Sequence, residues 1–285
     1  MRVPTSHVVW CSNTRFQDTL SRTFMARLIS LRADAAGSLR ERLSRFDPVA
    51  DRASILARLN AITLDLHLIA VATLLVDGNP QGFFLNLCRM AENGRRVQRL
   101  LADRGLAPPP ARRNTPLLGA LAAGHFSLAE AVAASSATQW QQGAEYEDEF
   151  LWASALQHLA RTPLAPLEPI LVPLEKVGQT PYASRVAMAL ALVSKDAAAF
   201  AEAFATACQD YGLDIEKRAR SVATPVTSFA PHRFLWLEGL ALLRLAERAG
   251  IAPEDTGFRY CPPLARVPMT VTYSGDWAID TVPTK

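Results

Sequence analysis

An all-α fold, an array of roughly ten packed antiparallel helices, is what this sequence predicts, and three observations carry it. The chain of 285 residues is 49% hydrophobic, with Ala and Leu dominant, a composition suited to packed helices. Apolar residues recur at three- and four-residue spacing through segment after segment. Pro, Asp, Asn and Gly punctuate those segments where helices start and stop, and no alternation of strand and helix signals intervenes.

Helices are expected first over 12–33 and 38–46, separated at Asp34–Gly37. Asp47-Pro48 then offers an N-cap and a proline at the first helical position. From there Ile55, Leu59, Ile62, Leu66 and Ile69 mark a helix running to Val76. Asp77-Gly78-Asn79-Pro80 ends it and opens the next, which carries Phe83, Phe84, Leu87, Met90 and Val97 and runs to Asp103. The two helices are expected to form an antiparallel hairpin. Residues 105–116, with Pro108-Pro109-Pro110 and Arg112-Arg113, cannot be helical through the prolines and read as a linker. They are the one candidate sub-boundary in what is otherwise expected to be a single domain over 1–285.

Shorter helices follow at 116–123, 127–137, 144–160, 167–177, 181–193, 196–211 and 229–249. His125–Ala131 and Ala199–Phe204 share small residues beside Phe, a helical-repeat-like feature without a fixed period. Trp236, Leu240, Leu243 and a notch at Gly239 are expected to pack in the core. The tail, 267–285, mixes Pro, Gly and Asp and reads as an extended strap.

Charge is spread unevenly. Residues 1–113 hold 17 Arg against 9 Asp and Glu, a net +8, and the remainder carries −5. The arginines recur at helical spacing (Arg15, Arg22; Arg40, Arg42, Arg45; Arg52, Arg58) without interleaved aromatics or glycines, so a solvated helix face is expected and direct nucleic-acid binding is not. The excess of 26 Arg over 4 Lys reads as compositional bias, not as phosphate binding. The longest apolar run, Leu66–Val76, is 11 residues against the roughly 20 needed to cross a bilayer, so no membrane span is expected. No signal peptide is visible, and a cytoplasmic location follows as the expectation. Cys11, Cys88, Cys208 and Cys261 stand far apart with no C-x-x-C, as befits reduced, inert thiols.

The standard catalytic sets are missing. H-E-x-x-H, E-x-x-H, the His-Asp dipeptide, D-D-x-x-D, the P-loop, G-x-G-x-x-G and G-x-S-x-G do not occur. The five histidines are isolated in sequence, and Asp65-x-His67 lies inside an apolar helix, where a satisfied structural histidine is expected. No catalytic residue, metal site or cofactor is assigned, and the chain is not expected to be an enzyme.

Gly143–Leu159 is the most informative stretch. Glu145, Glu147, Asp148 and Glu149 place four carboxylates in five residues at the opening of a helix. Acidic groups in a first turn interact favourably with the helix dipole, by about 0.3–1 kcal/mol each. Glu145 and Glu149, however, form an i,i+4 like-charge pair that costs a few tenths of a kcal/mol. The excess fits a surface that meets something basic, with Tyr146 and Trp152 as anchors. A solvated helix start is the competing reading.

Taken together, Gly143–Leu159, the Phe200/Phe204 helix, and Leu237–Ile251 followed by Tyr260-Cys261-Pro262-Pro263 give the chain a family likeness. It resembles the immunity 49 group of bacterial polymorphic-toxin immunity proteins, over roughly residues 80–265. The first 45 residues and the tail from Val267 add nothing to the match. The resemblance implies an all-α protein that binds a cognate secreted toxin, of contact-dependent or type VI kind, and occludes its active site or substrate groove without catalysis. Glu145, Tyr146, Glu147, Asp148, Glu149 and Trp152 would then face the toxin. A helical-repeat adaptor that binds another protein is the alternative.

Overall fold

In the computed structural model, which describes residues 14–161, 166–221, 229–253 and 257–281, ten α-helices and two short 3-10 turns make up the regular structure. They are α1 (Thr14–Ser44), α2 (Arg52–Leu75), α3 (Pro80–Asp103), α4 (Thr115–Ala122) and α5 (Phe126–Ser135). Then come α6 (Glu147–Ala160), α7 (Glu168–Val177), α8 (Gln179–Ser194), α9 (Ala197–Ala219) and α10 (Leu237–Ala249). The 3-10 turns are Ala230–His232 and Pro263–Arg266. Among the described residues there is no strand, only an isolated bridge between Gln142 and Glu145. Cys11, residues 12–13 of the first expected helix and residues 282–285 of the tail lie outside the described residues.

Three helix boundaries differ from expectation, each for a local reason. α1 runs unbroken through Asp34–Gly37 because Leu28, Ala35 and Leu39 form one buried stripe on it. That burial outweighs the roughly 1 kcal/mol cost of Gly37 inside a helix. α2 starts at Arg52, since Asp51 is the true N-cap: its side chain accepts from Ser54 N at 3.0 Å. Asp47-Pro48 instead forms a turn, with Asp47 Oδ1 accepting from Val49 N at 2.9 Å. α9 continues past Gly212 to Ala219, and the glycine gives room to the Tyr260 ring, which a Cβ there would approach to 3.2 Å.

The last expected helix, 229–249, is also divided. Trp236 N donates to Tyr260 O at 2.8 Å, which holds Trp236 in an extended N-cap conformation and starts α10 at Leu237. The indole folds over Gly239, where a Cβ would lie 2.2 Å from it, and Trp236, Leu240 and Leu243 are buried as expected.

α2 and α3 form the hairpin, and their contact is the most extensive in the molecule. Most helices pack against their chain neighbours, as in a repeat array. Two extensive contacts break that pattern: α3 also packs on α5, and α10 returns to lie on α4. One core cluster therefore runs from Leu39, near the end of α1, to Ile279, across the 105–116 linker. α2 has the length and apolar composition to cross a membrane, but 61% of its most apolar window is buried in the fold. It serves here as the central core helix.

The tail is an extended strap on α3. Gln81 Nε2 donates to Pro268 O at 3.0 Å and its Oε1 accepts from Thr270 N at 2.8 Å. Arg89 pairs with Asp276, and its guanidinium lies 5.1 Å from the centre of the Trp277 ring. Asn93, fully buried, donates to Trp277 O at 3.0 Å and accepts from Ile279 N at 2.8 Å. Arg96 donates to Ile279 O at 3.0 Å. The polar face of α3 is thus a docking rail, and Ile279 is buried at its end.

Of the arginines expected on a solvated face, Arg40 and Arg45 are exposed, whereas Arg42 and Arg52 tie elements together, as does Arg32 outside that series. Arg42 pairs with Asp65 of α2, Arg32 pairs with Asp77, and Arg52 donates to Ala107 O and Pro108 O at 2.8 Å each. His67 also departs from expectation. It is buried without a partner at Nε2 and meets the ring of His232 edge-on, 4.9 Å between centres.

Two outcomes follow. Replacing Asn93 by Ala leaves Ile279 N and Trp277 O without partners and should cost about 2 kcal/mol in urea denaturation. Burial, aided by the neighbouring Arg218 charge, pushes His232 down to about 4, and burial beside His232 pushes His67 well below its ordinary value. Between about pH 6.5 and 4 the unfolded chain binds protons that the folded chain refuses, so stability falls as pH falls through that window. Asp65, raised by burial despite Arg42, acts in the opposite direction. Melting should drop steeply from pH 7 to 5, and His67→Phe with His232→Phe should flatten that dependence.

Candidate binding surface

α6 begins at Glu147, inside the carboxylate run. Tyr146 is its extended N-cap residue, and Glu149 Oε2 accepts from Tyr146 N at 3.1 Å, half of a capping box. Asp148 Oδ1 accepts from Glu149 N at 2.8 Å. Two of the four carboxylates therefore satisfy amides at the helix start, where the dipole also favours them.

Glu145 precedes the helix and is 6% exposed. Its carboxylate accepts from Arg112 N at 2.8 Å and Gln141 N at 3.3 Å. Gln141 in turn donates to Pro108 O at 3.0 Å. Glu145 thus clamps the proline-rich segment to the loop before α6 and does not reach the surface, a correction to its expected exposure. Trp152 requires the same correction: it is 4% exposed and packs in the core, with the Arg185 guanidinium 6.0 Å from its ring centre. The exposed part of the stretch is Tyr146, at 77%, and Glu147, with Asp148 and Glu149 half-buried beside them.

Trp140, absent from the sequence reading, joins this surface. It is 41% exposed, and its Nε1 donates to Glu145 O at 3.1 Å, so the ring is held beside the acidic stretch. Its sequence context, a polar loop of Gln and Thr, carried no periodic signal.

A groove of about 440 Å³ opens between α8 and α9 and the start of α10. Arg185 Nε meets Glu238 Oε1 at 2.6 Å at its base. Burial works against the Arg185 charge, but Glu238 outweighs it and holds the guanidinium above its ordinary value. Tyr211 and Trp236 stack 5.2 Å apart along one wall, and Tyr211 OH donates to His232 O at 2.6 Å. Asp210, Asp214 and Leu213, the last 73% exposed, stand at the mouth.

Tyr182 lies between the groove and the acidic stretch. Its ring lies 5.3 Å from the Arg185 guanidinium. Its phenol is pushed up to about 12, first by burial and then by the Asp148 carboxylate, with Glu149 and Glu238 adding to it against Arg185. The Arg185–Glu238 pairing spans 53 residues and leaves no local pattern in the sequence.

This arrangement offers carboxylates, aromatic faces and an apolar lip to a basic or aromatic segment. Among the described residues, no three His, Cys, Asp or Glu side chains converge to hold a metal ion. Comparison with known proteins adds no assignment. No family model, curated protein or solved structure matches the chain. Function must be argued from the surface itself.

The buried clamp and the exposed acids should separate cleanly. Glu145→Ala removes a charged acceptor from two backbone amides and should lower stability by about 2 kcal/mol in denaturant titration. Glu147→Lys, on the open face, should change it by less than about 0.5 kcal/mol.

Proposed function

We propose that the chain is a non-catalytic, immunity-type protein-binding domain that neutralises a cognate bacterial toxin by covering its active site or substrate groove. The contact face is Trp140, Tyr146, Glu147, Asp148 and Glu149 together with the α8–α9 groove. The observation that carries this reading is the closeness of Asp148 and Glu149 to the groove, with Tyr182 and Arg185 between them. That closeness sets an acidic rim beside an aromatic-walled recess. Rigid aromatics in a setting of acidic groups suit a basic partner surface, and complementary charge raises the association rate. The resemblance to the immunity 49 group points the same way, and a tight pair of this kind would bury on the order of 1,600 Å².

A peptide-binding adaptor is the second reading, favoured by the groove alone with Leu213 exposed at its mouth.

The test is co-expression with the adjacent open reading frame. Growth arrest by the neighbour alone, rescued by this chain in a complex that co-purifies, is expected. A harmless neighbour that does not bind would reject the toxin assignment. Within a confirmed pair, Tyr146→Ala combined with Glu147→Lys should weaken binding by about tenfold or more at low salt, with melting unchanged. Undiminished binding by that variant would move the interface elsewhere on the domain.

A further inference from the structure

The proline-rich segment delivers two arginines to a second recess. This recess, about 300 Å³, lies between α2 and the start of α4. Arg112 and Arg113 line one side, Asn60 and Thr63 of α2 the other, and Thr115 of the first turn of α4 closes the end. Leu56 and Leu59, both 7% exposed, contribute apolar surface. No carboxylate lines it.

The two cations differ in their commitments. Arg112 donates from Nε to Ala144 O at 3.0 Å and has Glu149 at 3.8 Å. Among the described residues, Arg113 has neither an ion pair nor a side-chain hydrogen bond. It differs in this from Arg52 and Arg104 nearby, whose guanidinium groups are occupied by backbone carbonyls. Burial lowers the Arg113 pKa, and the like charges of Arg112 and Arg52 lower it further. Asn114, the N-cap of α4, places no side chain on the first-turn amides, so the helix adds its own positive end to the recess.

We propose that this recess binds a phosphate group, held by the Arg113 fork with Arg112 beside it and by the hydroxyls of Thr63 and Thr115. A guanidinium fork matches two phosphate oxygens, and hydroxyls and an amide suit the others. The volume exceeds that of the ion and sits at the small end of ligand pockets, roughly 300–1,000 Å³, so a phosphate monoester with a compact body fits as well as free phosphate. Arg112, which also approaches Glu149, adjoins the protein-binding face, but Arg113 and Thr63 do not belong to that face, so substitutions there test this site separately.

Binding is read on the full chain by thermal melting and by ³¹P line broadening, with inorganic phosphate and adenosine monophosphate as probes and ionic strength held constant with KCl. A saturable rise in melting temperature and broadening of the probe signal are expected. Arg113→Gln should weaken the apparent affinity by about tenfold or more without changing the melt in KCl alone, because its side chain makes no contact that the fold needs. Thr63→Val provides an independent loss from the other wall. Tighter binding of the monoester would identify an ester as the natural ligand, and tighter binding of phosphate would identify the free ion. Absence of a saturable response to both probes, or an equal response in the parent and Arg113→Gln, would overturn the proposal.

Discussion

Arginine forks that reach backbone carbonyls are the interaction on which this fold depends. Helices leave their last carbonyls without partners, and several of those ends lie inside the molecule. Arg248 donates to Leu159 O and Ala160 O at the end of α6, and Arg244 donates to Ala122 O at the end of α4. Arg104 spans Pro48 O and Ala50 O, and Arg52 spans Ala107 O and Pro108 O. Each of these places a positive charge against carbonyls, and at the two helix ends it meets the negative end of the dipole. The same guanidinium planes lie on aromatic rings, as Arg248 does on Phe126 at 4.6 Å and Arg244 on Phe84 at 5.6 Å. A flat fork with five donors can do both at once, and an ammonium cannot. The preference for Arg over Lys that composition alone presented as bias thus has a structural use.

The proline-rich segment illustrates why such donors are needed. Three successive prolines offer carbonyls but no N–H groups, so their acceptors must be met by side chains from elsewhere. Arg52 and Gln141 supply those donors, and Glu145 secures the amide of Arg112 just beyond them. A stretch that looks like a flexible hinge in sequence is held from two sides, and the core passes beneath it without a break. The two proposed binding surfaces adjoin this stapled segment.

Helix periodicity and capping residues made most of the fold legible. The α2–α3 hairpin, the Asn79-Pro80 start and the Trp236–Gly239 notch could be read from local spacing, because the interactions that fix them lie within a few turns. The misjudged points involve partners far along the chain. Gly37 and Gly212 looked like breaks because the stripe of α1 on α2 and the Tyr260 ring are invisible to a local window. Glu145 and Trp152 looked like surface groups for the same reason: what buries them is the 105–116 segment and α8. Of the acidic stretch, sequence could say that a helix starts there, and could not say that one carboxylate faces inward. The groove rests on Arg185 and Glu238, which no periodicity connects.

The strap on α3 bears on the order in which the molecule is built. Its contacts join residues more than 180 positions apart, as between Arg96 and Ile279 at a separation of 183 and Gln81 and Pro268 at 187. Pairings that distant form late, since closing so long a loop is favourable only once the intervening helices have shortened it. During synthesis α3 therefore emerges with Asn93 and Gln81 uncovered, and its polar row stays hydrated until nearly every other helix has been made. A row of amides and guanidiniums tolerates that wait far better than an apolar stripe, which would invite the wrong neighbour. The hydrophilic seam keeps this face of α3 soluble until the one segment that matches it arrives.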